Sequence, residues 1–497
     1  MLLLGIDVGT TSVKAMVFTP EGRALSCVRK TTTVSYPAPG WAEQDAEAVW
    51  VLVCEAIREA AGMYVGQIGA LSVSVQGDAI IPVDDNRTAL GPAQLGMDYR
   101  AVSLVEEFSA EYDAFNIFQR TGMRPHPLNS AFKILWILKN DPALTRRVRT
   151  FATYSDYILG KLGSDGMVID LTMASRTMLY NTLEKKWDPE ILKNSGLSAD
   201  RLSLPVKSGT VVGKLRKTLA EKLGLTPDVL LVAGGHDQTC AAFGSGVIRD
   251  GLALDSHGTA EVLSTCFKNP RFDSPMYDGY YPCYLHAAGD PYFTFALNHT
   301  AGILLQWFRE QFAENESFSD LSASVSPGPS PVLALPHFNG SGTPTCDAKS
   351  RGALVGLTLS STKVDIAGAL LDSMAFEMRI NLERLSSIGI PISELCCVGG
   401  GAEYPQDLQR KADVFQIPVL ALRVREAACL GAAFLAGCGA GEYTGPEEAV
   451  SNVKAERVYE PGAMLRPYND RYELYTHLYD ILKPINHACA EYTTTAT

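Results

Sequence analysis

The sequence predicts an α/β protein built from two similar halves, and three observations support this fold class. First, an apolar strand, an aspartate, a Gly-Thr turn and a second strand follow one another at residues 1–18 and again at residues 252–263. Such a repeat indicates an internally duplicated architecture. Second, the continuous apolar run 229–233 is typical of a parallel strand buried on both faces. Third, a chain of 497 residues should form at least two domains.

The first repeat carries the turn Gly-Ile-Asp-Val-Gly-Thr-Thr at residues 5–11. Glycine lets backbone N–H groups approach a ligand without hindrance from a Cβ atom. Thr10 and Thr11 add hydroxyl donors beside those N–H groups. Asp7 places a carboxylate at the end of the first strand, which suits a hydrated divalent cation. The turn can therefore hold a polyphosphate and its magnesium.

The second repeat places Gly258 and Thr259 shortly after a strand that runs into Asp255. Two ordinary hairpins would also explain the pattern, because aspartate and glycine favour turns for local reasons. The recurrence of the pattern, together with the motifs below, favours a pair of phosphate-binding turns.

The composition narrows the classes of partner. Aspartate and glutamate (55 residues) outnumber lysine and arginine (43), which gives a formal net charge of −12. Because phosphate backbones attract basic surfaces, we expect no nucleic acid partner. A nucleotide held by magnesium and backbone N–H groups is compatible with this charge. We also expect no membrane partner, since no segment is long or apolar enough to span a bilayer and residues 2–4 are too few for a signal peptide.

The cysteines and histidines carry no metal-binding pattern. The 11 cysteines are scattered without a C-x-x-C pair, and we interpret them as buried free thiols of a protein in the reducing cytoplasm. The eight histidines are dispersed, and we interpret each as structural. The sequence also contains no G-x-x-x-x-G-K-[ST] phosphate loop and no H-E-x-x-H motif.

Helices and further polar stretches follow the first turn. Asp45 can cap a helix at residues 46–61, in which apolar residues share one face. Residues 103–222 are mainly helical, and we expect Lys133 on a solvated helix face there. The run 170–176 is polar enough to line a cleft, but the sequence does not show where in the fold this cleft would lie.

Two loops at the ends of predicted strands are candidate substrate loops. The strand at residues 71–75 ends in Gln76, Gly77 and Asp78, and a second polar loop occupies residues 96–100. Polar groups at strand ends in α/β folds usually face a crevice.

A candidate general base follows the buried strand 229–233. That strand ends in Gly-Gly-His-Asp-Gln at residues 234–238, and helix-like residues come next. Asp237 thus projects from a turn that glycines loosen, where a carboxylate can act as a general base. An aspartate that caps the following helix is the alternative, and this stretch alone leaves both open.

A glycine triplet marks a nucleotide site in the second half. The strand 395–398 leads into glycines 399–401 and then a helix at residues 407–415. This arrangement lets backbone lie flat against a nucleotide. The alternating glycines at residues 437–441 look like a dinucleotide fingerprint, but they follow a helix instead of a strand, so we reject that interpretation.

Taken together, these motifs resemble the FGGY family of carbohydrate kinases over nearly the whole chain, to about Gly441. The ordered set consists of Gly5-Ile6-Asp7-x-Gly9-Thr10-Thr11-Ser12-x-Lys14, Gly40-Trp41-x-Glu43-Gln44-Asp45, Asp98-x-Arg100, Gly234-Gly235-x-Asp237, Gly258-Thr259, Gly352-x-x-x-Gly356-Leu357, Gly399-Gly400-Gly401-Ala402, Gln409-x-x-Ala412-Asp413 and Glu426-Ala427-Ala428-x-Leu430-Gly431-Ala432-Ala433. The resemblance implies two actin-like (ribonuclease H-like) domains with a catalytic cleft between them. The N-terminal domain, residues 1–246, would bind the sugar and carry the base, and the C-terminal domain, residues 247–497, would bind ATP.

The resemblance also implies a role for each motif residue. Asp237 would be the catalytic base, and Asp7 with Asp237 would hold Mg²⁺. The residues that would bind ATP are Thr10, Thr11, Lys14, Gly258, Thr259, Gly400, Gly401 and Tyr404. The residues that would contact the sugar are Gln76, Gly77, Asp78, Asp98, Arg100, Asp237 and Gln238.

The implied activity is transfer of the γ-phosphate of ATP to a hydroxyl group of a ketose or polyol, with D-xylulose or a related pentulose as the first choice. Other substrates of the family are the alternatives: L-fuculose, glycerol, an erythritol-like polyol or a deoxyketose. An ATPase switch on the actin fold, without a sugar, and a homologue that has lost catalysis are further alternatives. The partner would be a small sugar or polyol, with room for a homodimer.

Two departures from the family pattern concern the substrate. Glycerol kinases of the family carry Arg-Glu, and xylulokinases Met-His, where this chain has Gly77 and Asp78. Many relatives have Glu-Arg where this chain has Ser341 and Gly342.

Overall fold

The computed structural model describes residues 1–495 and contains two mixed β-sheets, one in each half of the chain. The strands of the first half are β1 (Leu2–Val8), β2 (Ser12–Phe18), β3 (Ala24–Thr31), β4 (Glu43–Gln44), β5 (Ile68–Val75), β6 (Ile81–Val83), β7 (Ala93–Gln94), β8 (Thr150–Ala152), β9 (Val168–Asp170), β10 (Tyr180–Asn181), β11 (Lys186–Trp187), β12 (Leu204–Val206), β13 (Val211–Lys214) and β14 (Leu230–His236). Its helices are α1 (Ala46–Ala61), α2 (Val102–Glu111), α3 (Ala114–Thr121), α4 (Ser130–Asn140), α5 (Pro142–Arg147), α6 (Tyr154–Leu162), α7 (Leu171–Arg176), α8 (Pro189–Asn194), α9 (Lys217–Leu223) and α10 (Asp237–Gly244).

The second half has its own strands and helices. The strands are β15 (Leu252–His257), β16 (Glu261–Phe267), β17 (Tyr284–Leu285), β18 (Tyr292–Asn298), β19 (Leu333–Leu335), β20 (Ala353–Val355), β21 (Glu394–Gly399), β22 (Val419–Leu422) and β23 (Ala455–Tyr459). The helices are α11 (Ser274–Asp278), α12 (Gly302–Phe312), α13 (Phe318–Ser324), α14 (Lys363–Ser387), α15 (Pro405–Phe415), α16 (Ala427–Ala440), α17 (Pro446–Ala449), α18 (Leu465–Tyr475) and α19 (Leu478–Thr495). In the part of the chain that the structure describes, no helix combines the length and apolarity needed to cross a membrane.

The two sheets repeat one unit, as the sequence predicts. The first sheet has the strand order β13-β14-β5-β1-β2-β3, and the second has the order β17-β18-β16-β15-β21-β22-β23. In the first, β1 forms an antiparallel hairpin with β2 and pairs in parallel with β5. In the second, β15 forms the same hairpin with β16 and pairs in parallel with β21. Each Gly-Thr turn therefore lies at the tip of an equivalent hairpin.

Helix α1 forms where the sequence places it. Asp45 accepts hydrogen bonds from the backbone N–H groups of Glu47 and Ala48, which caps the helix. Its apolar face packs against the first sheet, where Val53 and Ile57 are fully buried. This burial holds β1 and β2, and hence the first turn, in place.

Helix α16 belongs to the second half but lies against the first sheet. A Cβ atom on Gly5 of β1 would sit 1.9 Å from the carbonyl oxygen of Cys429, and one on Gly431 would sit 1.9 Å from that of Cys240 in α10. Only glycine permits such a close approach of two backbones. The alternating glycines near residues 437–441 thus belong largely to the end of this packed helix, which ends at Ala440.

Candidate active site

A cavity of about 250 Å³ opens at the carboxyl ends of the neighbouring strands β5 and β14. Because these strands are parallel, the residues that follow them meet at the same edge of the first sheet. Side chains from β16 and β18 of the second half complete the wall. The lining residues are Thr10, Gln76, Gly77, Asp78, Gly96, Met97, Leu128, Arg176, His236, Asp237, Gln238, Val262 and Phe295.

The cavity gathers most of the residues that the sequence assigns to the sugar. Gln76, Gly77 and Asp78 meet Asp237 and Gln238 there. Nearby, the Oγ1 hydroxyl of Thr10 donates to Oε1 of Gln76 over 2.7 Å, which ties the first turn to the end of β5. The Oε1 atom of Gln238 is buried and accepts no hydrogen bond from residues 1–495, so it is available to a ligand.

Asp237 is the first residue of α10, and His236 is the N-cap residue. The Oδ1 atom of Asp237 accepts the backbone N–H of Gln238 over 2.7 Å. The side chain is 32% exposed, so it can reach a ligand in the cavity. Burial, and next the negative charge of Asp7, raise the pKa of Asp237 to about 7. A carboxylate with such a pKa is suited to accept a proton near neutral pH.

His236 links Asp237 to the second half of the chain. Its Nε2 atom lies 3.1 Å from Oδ1 of Asp237, and its Nδ1 atom lies 3.1 Å from the hydroxyl of Tyr284. Burial, and next the charge of Arg176, lower the pKa of His236 well below its usual value, so the imidazole is neutral. Since an ionised carboxylate only accepts hydrogen bonds, Nε2 carries the proton and Nδ1 accepts from Tyr284.

Asp78 forms a buried ion pair with Arg176 at the cavity wall. The Nε atom of Arg176 lies 3.1 Å from Oδ1 of Asp78, and Nη2 donates to Oδ2. Asp78 has a φ of 67°, a left-handed backbone conformation that is uncommon outside glycine. Such strain in a non-glycine residue is often found at ligand sites. Arg176 ends the polar run 170–176, to which the sequence alone gave no position.

The expectation that Lys133 lies on a solvated helix face is wrong. Its side chain is fully buried, and Nζ donates to the carbonyl oxygens of Pro127 (3.1 Å) and Leu128 (2.6 Å). These backbone acceptors replace water as partners of the ammonium group. Burial lowers the pKa of Lys133 to about 8, although the charge of Asp78 opposes this shift.

Asp98 and Arg100 lie beside the cavity but do not line it. Nη2 of Arg100 donates to Oδ2 of Asp98 (2.7 Å) and to Oε1 of Glu43 (2.6 Å). The guanidinium also stacks 3.8 Å from the ring centroid of Trp41. Asp98 in turn accepts the backbone N–H of Ala42 over 2.7 Å. This network fixes the loop that supplies Gly96 and Met97 to the cavity wall.

Asp7 accepts a hydrogen bond from Ser74 over 2.9 Å, and its negative charge raises the pKa of Asp237. Burial raises the pKa of Asp7, while the charge of Lys14, whose Nζ lies 4.0 Å away, lowers it. Lys14 also bonds to Glu426 at the start of α16 and so joins the two halves. Neither Lys14 nor the exposed Thr11 lines a cavity described here.

A second cavity, of about 290 Å³, lies between the second sheet and helices α12 to α15. The structure brings together there all five residues that the sequence assigns to ATP in the second half: Gly258, Thr259, Gly400, Gly401 and Tyr404. Gly302 allows α12 to start against the turn, because its Cβ atom would lie 2.5 Å from the carbonyl oxygen of Gly258. The hairpin of β15 and β16 borders both cavities, since Thr259 lines one and Val262 the other.

A buried charge cluster supports this second turn. Nζ of Lys411 donates to Oε1 of Glu261 over 2.6 Å and to Oδ2 of Asp255. Nδ1 of His257 lies 3.2 Å from the same Oε1. Burial raises the pKa of Glu261, but the charge of Lys411 and the hydrogen bonds from His257 and Lys411 together outweigh burial and lower the pKa to about 2. Glu261 is therefore ionised and holds Lys411 beside the cavity.

Several residues of the site carry no signal in the sequence alone. Phe295 and Val262 reach the first cavity, and Tyr284 reaches His236, only because the second sheet packs against this site. Their apolar or aromatic character predicts burial and nothing more. Arg176 and Lys411 bond to partners 98 and 156 residues away, which no local pattern reveals.

Comparisons with known proteins agree with this geometry. A model described as "FGGY family of carbohydrate kinases, N-terminal domain" matches residues 2–244, and the C-terminal domain model of the same family matches residues 256–440. A xylulose kinase of Staphylococcus epidermidis is 29% identical over 97% of this chain and 96% of its own. A glycerol kinase of Geobacter sp. is 32% identical over 88% of this chain and 90% of its own.

Solved structures give the same answer. The ligand-bound xylulose kinase from Lactobacillus acidophilus matches with a TM-score of 0.90 at 25% identity, over 97% of this chain and 98% of its own. A kinase from Brucella ovis, described as a xyloylose kinase, matches with a TM-score of 0.89 at 27% identity, over 98% and 100%. The predicted fold class of two actin-like domains is confirmed. The chain therefore belongs to the FGGY family of carbohydrate kinases.

Proposed function

We propose that this ATP-dependent carbohydrate kinase phosphorylates a hydroxyl group of a ketose or polyol, with D-xylulose or a related pentulose as the first candidate. One observation carries the proposal: Asp237 lines a cavity together with other polar side chains, next to a second cavity bordered by the Gly258–Thr259 turn. The relatives named xylulose kinase support a pentulose. The relatives named glycerol kinase, up to 32% identical among those compared, support a small polyol as the second candidate.

Asp237 acts as the general base in this proposal. His236 and the N–H of Gln238 hold its Oδ1 atom, which leaves Oδ2 free to accept the proton of the sugar hydroxyl. General-base assistance of this kind contributes about 10²–10⁴-fold to a rate. Val262 and Phe295 give the cavity apolar walls. Closure of the two domains over the sugar would exclude water, which otherwise competes with the sugar as the acceptor.

Asp7 and Asp237 fit a magnesium site. The charge of Asp7 raises the pKa of Asp237, so the two carboxylates repel each other, and a cation between them would relieve this repulsion. Among residues 1–495, no group of three or more His, Cys, Asp and Glu side chains forms a complete metal cage. Magnesium with nucleotides commonly binds through one or two carboxylates, with water and phosphate oxygens as the remaining ligands. When bound, it would neutralise charge on the phosphates.

The two hairpin turns would hold the phosphates between them. Thr10 and Thr11 belong to the first turn, and Gly258 and Thr259 to the second. In this proposal Gly400, Gly401 and Tyr404 border the adenosine, and Lys14 stabilises Asp7. We place the domain boundary between residues 246 and 247.

We also propose a cytoplasmic location and a homodimer, and the first of these rests on the composition of the chain. Cysteines such as Cys240, Cys397 and Cys429 are buried, which agrees with a reducing cytoplasm. The net charge of −12 disfavours nucleic acid as a partner. A homodimer stays a prediction.

The test is a screen of pentuloses, hexuloses, deoxyketoses and alditols in an assay that couples ADP release to a signal. We expect one of these sugars to raise ADP release well above the basal rate. If all of them leave the basal rate unchanged while ATP still binds, the proposed substrate class is wrong.

A further inference from the structure

Arg176 stands out among the residues of the sugar cavity, because its guanidinium is buried yet incompletely bonded. It is the last residue of α7, its side chain is only 6% exposed, and it lines the cavity. Nε and Nη2 donate to the two oxygens of Asp78. No hydrogen bond from Nη1 to any of residues 1–495 is found. Nη1 is therefore the donor that a ligand in the cavity can use.

The surroundings fix the direction of this donor. Bidentate pairing with a carboxylate restrains the plane of a guanidinium. Asp78 is itself held in its left-handed conformation by a hydrogen bond from Ser130 Oγ to its carbonyl oxygen, 3.2 Å long. The guanidinium also lies 5.6 Å from the ring centroids of Tyr284 and Phe295, which come from the second half. Arg176 is thus a rigid donor in place before the sugar binds.

Gly77 makes room for this arrangement. A Cβ atom at residue 77 would lie 2.8 Å from Nε2 of His236 and 3.5 Å from Nη2 of Arg176. The first distance is too short for a normal contact, so even alanine would push the imidazole aside, whereas the second is an ordinary contact distance. The imidazole therefore occupies the space in which a side chain of residue 77 would stand.

The charges of the cavity argue for an uncharged ligand. The positive charge of Arg176 is neutralised by Asp78, and Asp237 and the nearby Asp7 add negative charge. The ammonium of Lys133 bonds to two backbone carbonyl groups and is fully buried. A carboxylate on the ligand would meet the negative charges of Asp237 and Asp7, while the charge of Arg176 is already paired with Asp78, so repulsion would disfavour it. Gln238 Oε1 instead offers an acceptor for a hydroxyl group.

We propose that Arg176 is a specificity-determining residue of this kinase: its Nη1 donates to a hydroxyl or carbonyl oxygen of the sugar, and its pairing with Asp78 selects neutral ketoses and polyols against sugar acids. This inference rests on the proposed function and identifies the residue that distinguishes one class of sugar from another.

The first test compares Arg176→Lys with Arg120→Lys. Arg120 is a matched control, since it makes the same two-point contact with Asp188 (2.9 and 2.7 Å) but does not line the cavity. With D-xylulose, D-ribulose or glycerol as the acceptor, Arg176→Lys should raise the KM for that acceptor about tenfold or more, because lysine cannot make the bidentate contact. The KM for ATP should stay the same, and Arg120→Lys should change neither. An unchanged acceptor KM in Arg176→Lys, or an equal rise in the KM for ATP, overturns the proposal.

One further measurement decides the matter if Arg176→Lys does not fold. The wild-type protein should phosphorylate its neutral acceptor with a kcat/KM at least about a hundredfold above that for D-gluconate. Equal kcat/KM values for the two classes overturn the proposal while leaving kinase activity intact. Loss of the proposed function would look different, because no ketose or polyol would then raise ADP release.

Discussion

The Oδ1 atom of Asp237 lies 3.1 Å from Nε2 of His236, and Tyr284 from the other half of the chain bonds to the same imidazole. A three-residue path therefore connects the proposed base, at the start of α10, to β17 of the second sheet. This path fixes one oxygen of a carboxylate that lines the cavity. The predictions below follow from this and the other contacts described above.

Asp237→Asn should keep the fold and ATP binding but lower kcat about 10²–10⁴-fold, because an amide cannot take the proton of the hydroxyl group. The measurements are coupled ADP release with the best acceptor and titration calorimetry with ATP. Asp113→Asn is the control: Asp113 caps α3, and asparagine caps a helix equally well. Turnover near the wild-type level in Asp237→Asn would mean that another group accepts the proton.

The pH dependence of kcat/KM should show an acidic limb near pH 7. Burial and the charge of Asp7 raise the pKa of Asp237 to about 7, so the carboxyl is protonated below that pH and cannot act as a base. Activity should therefore increase as the pH rises through about 7 and then level off. Magnesium held by Asp7 and Asp237 would lower this pKa, so the acidic limb should move to lower pH as the magnesium concentration rises. A flat profile between pH 5 and 8 at the lowest magnesium concentration that supports turnover would contradict this assignment.

Gly5→Ala should destabilise the protein, because its Cβ atom would lie 1.9 Å from the carbonyl oxygen of Cys429. Overpacking against backbone costs about 1–3 kcal/mol of unfolding free energy, and a contact this short belongs at the upper end of that range. Gly166→Ala is the control, since a Cβ atom there meets nothing within 4 Å. Thermal unfolding of both variants measures the difference. Equal midpoints would show that α16 moves away from β1 without loss.

Lys411→Met should lower the unfolding free energy by about 3–5 kcal/mol, because it leaves the buried carboxylates of Glu261 and Asp255 without their cation. Adding Glu261→Gln should recover part of the loss, since one stranded charge disappears. Lys30→Met, at the partly exposed pair with Glu59, should cost less than about 1 kcal/mol. Denaturant unfolding measures all three. A double variant no more stable than Lys411→Met would argue against the charge explanation.

The sequence alone predicts the parts of the site that depend on local structure. Strand ends, glycine turns and helix starts carry patterns within a few residues, so Asp237, the Gly-Thr turns and Gly400 could be identified. Arg176 and Tyr284 could not, because their importance comes from partners that lie far away in the chain. The burial of Lys133 could not be predicted either, although its partners are near in the chain. Helical spacing does not show that two carbonyl groups of the preceding loop accept hydrogen bonds from its ammonium group.

The packing of α16 also limits how much of the first half can fold while the chain is still being synthesised. Leu3 and Ala70 of the first sheet and Phe243 of α10 are fully buried in one cluster with Cys429, Ala433 and Phe434. Leu3, Ala70 and Phe243 lie in the first 243 residues, but α16, which covers them, ends only at Ala440. During synthesis, the ribosome must therefore release most of the polypeptide before this surface is shielded from water. A nascent chain without α16 would expose this hydrophobic surface, and chaperones bind exposed hydrophobic surfaces.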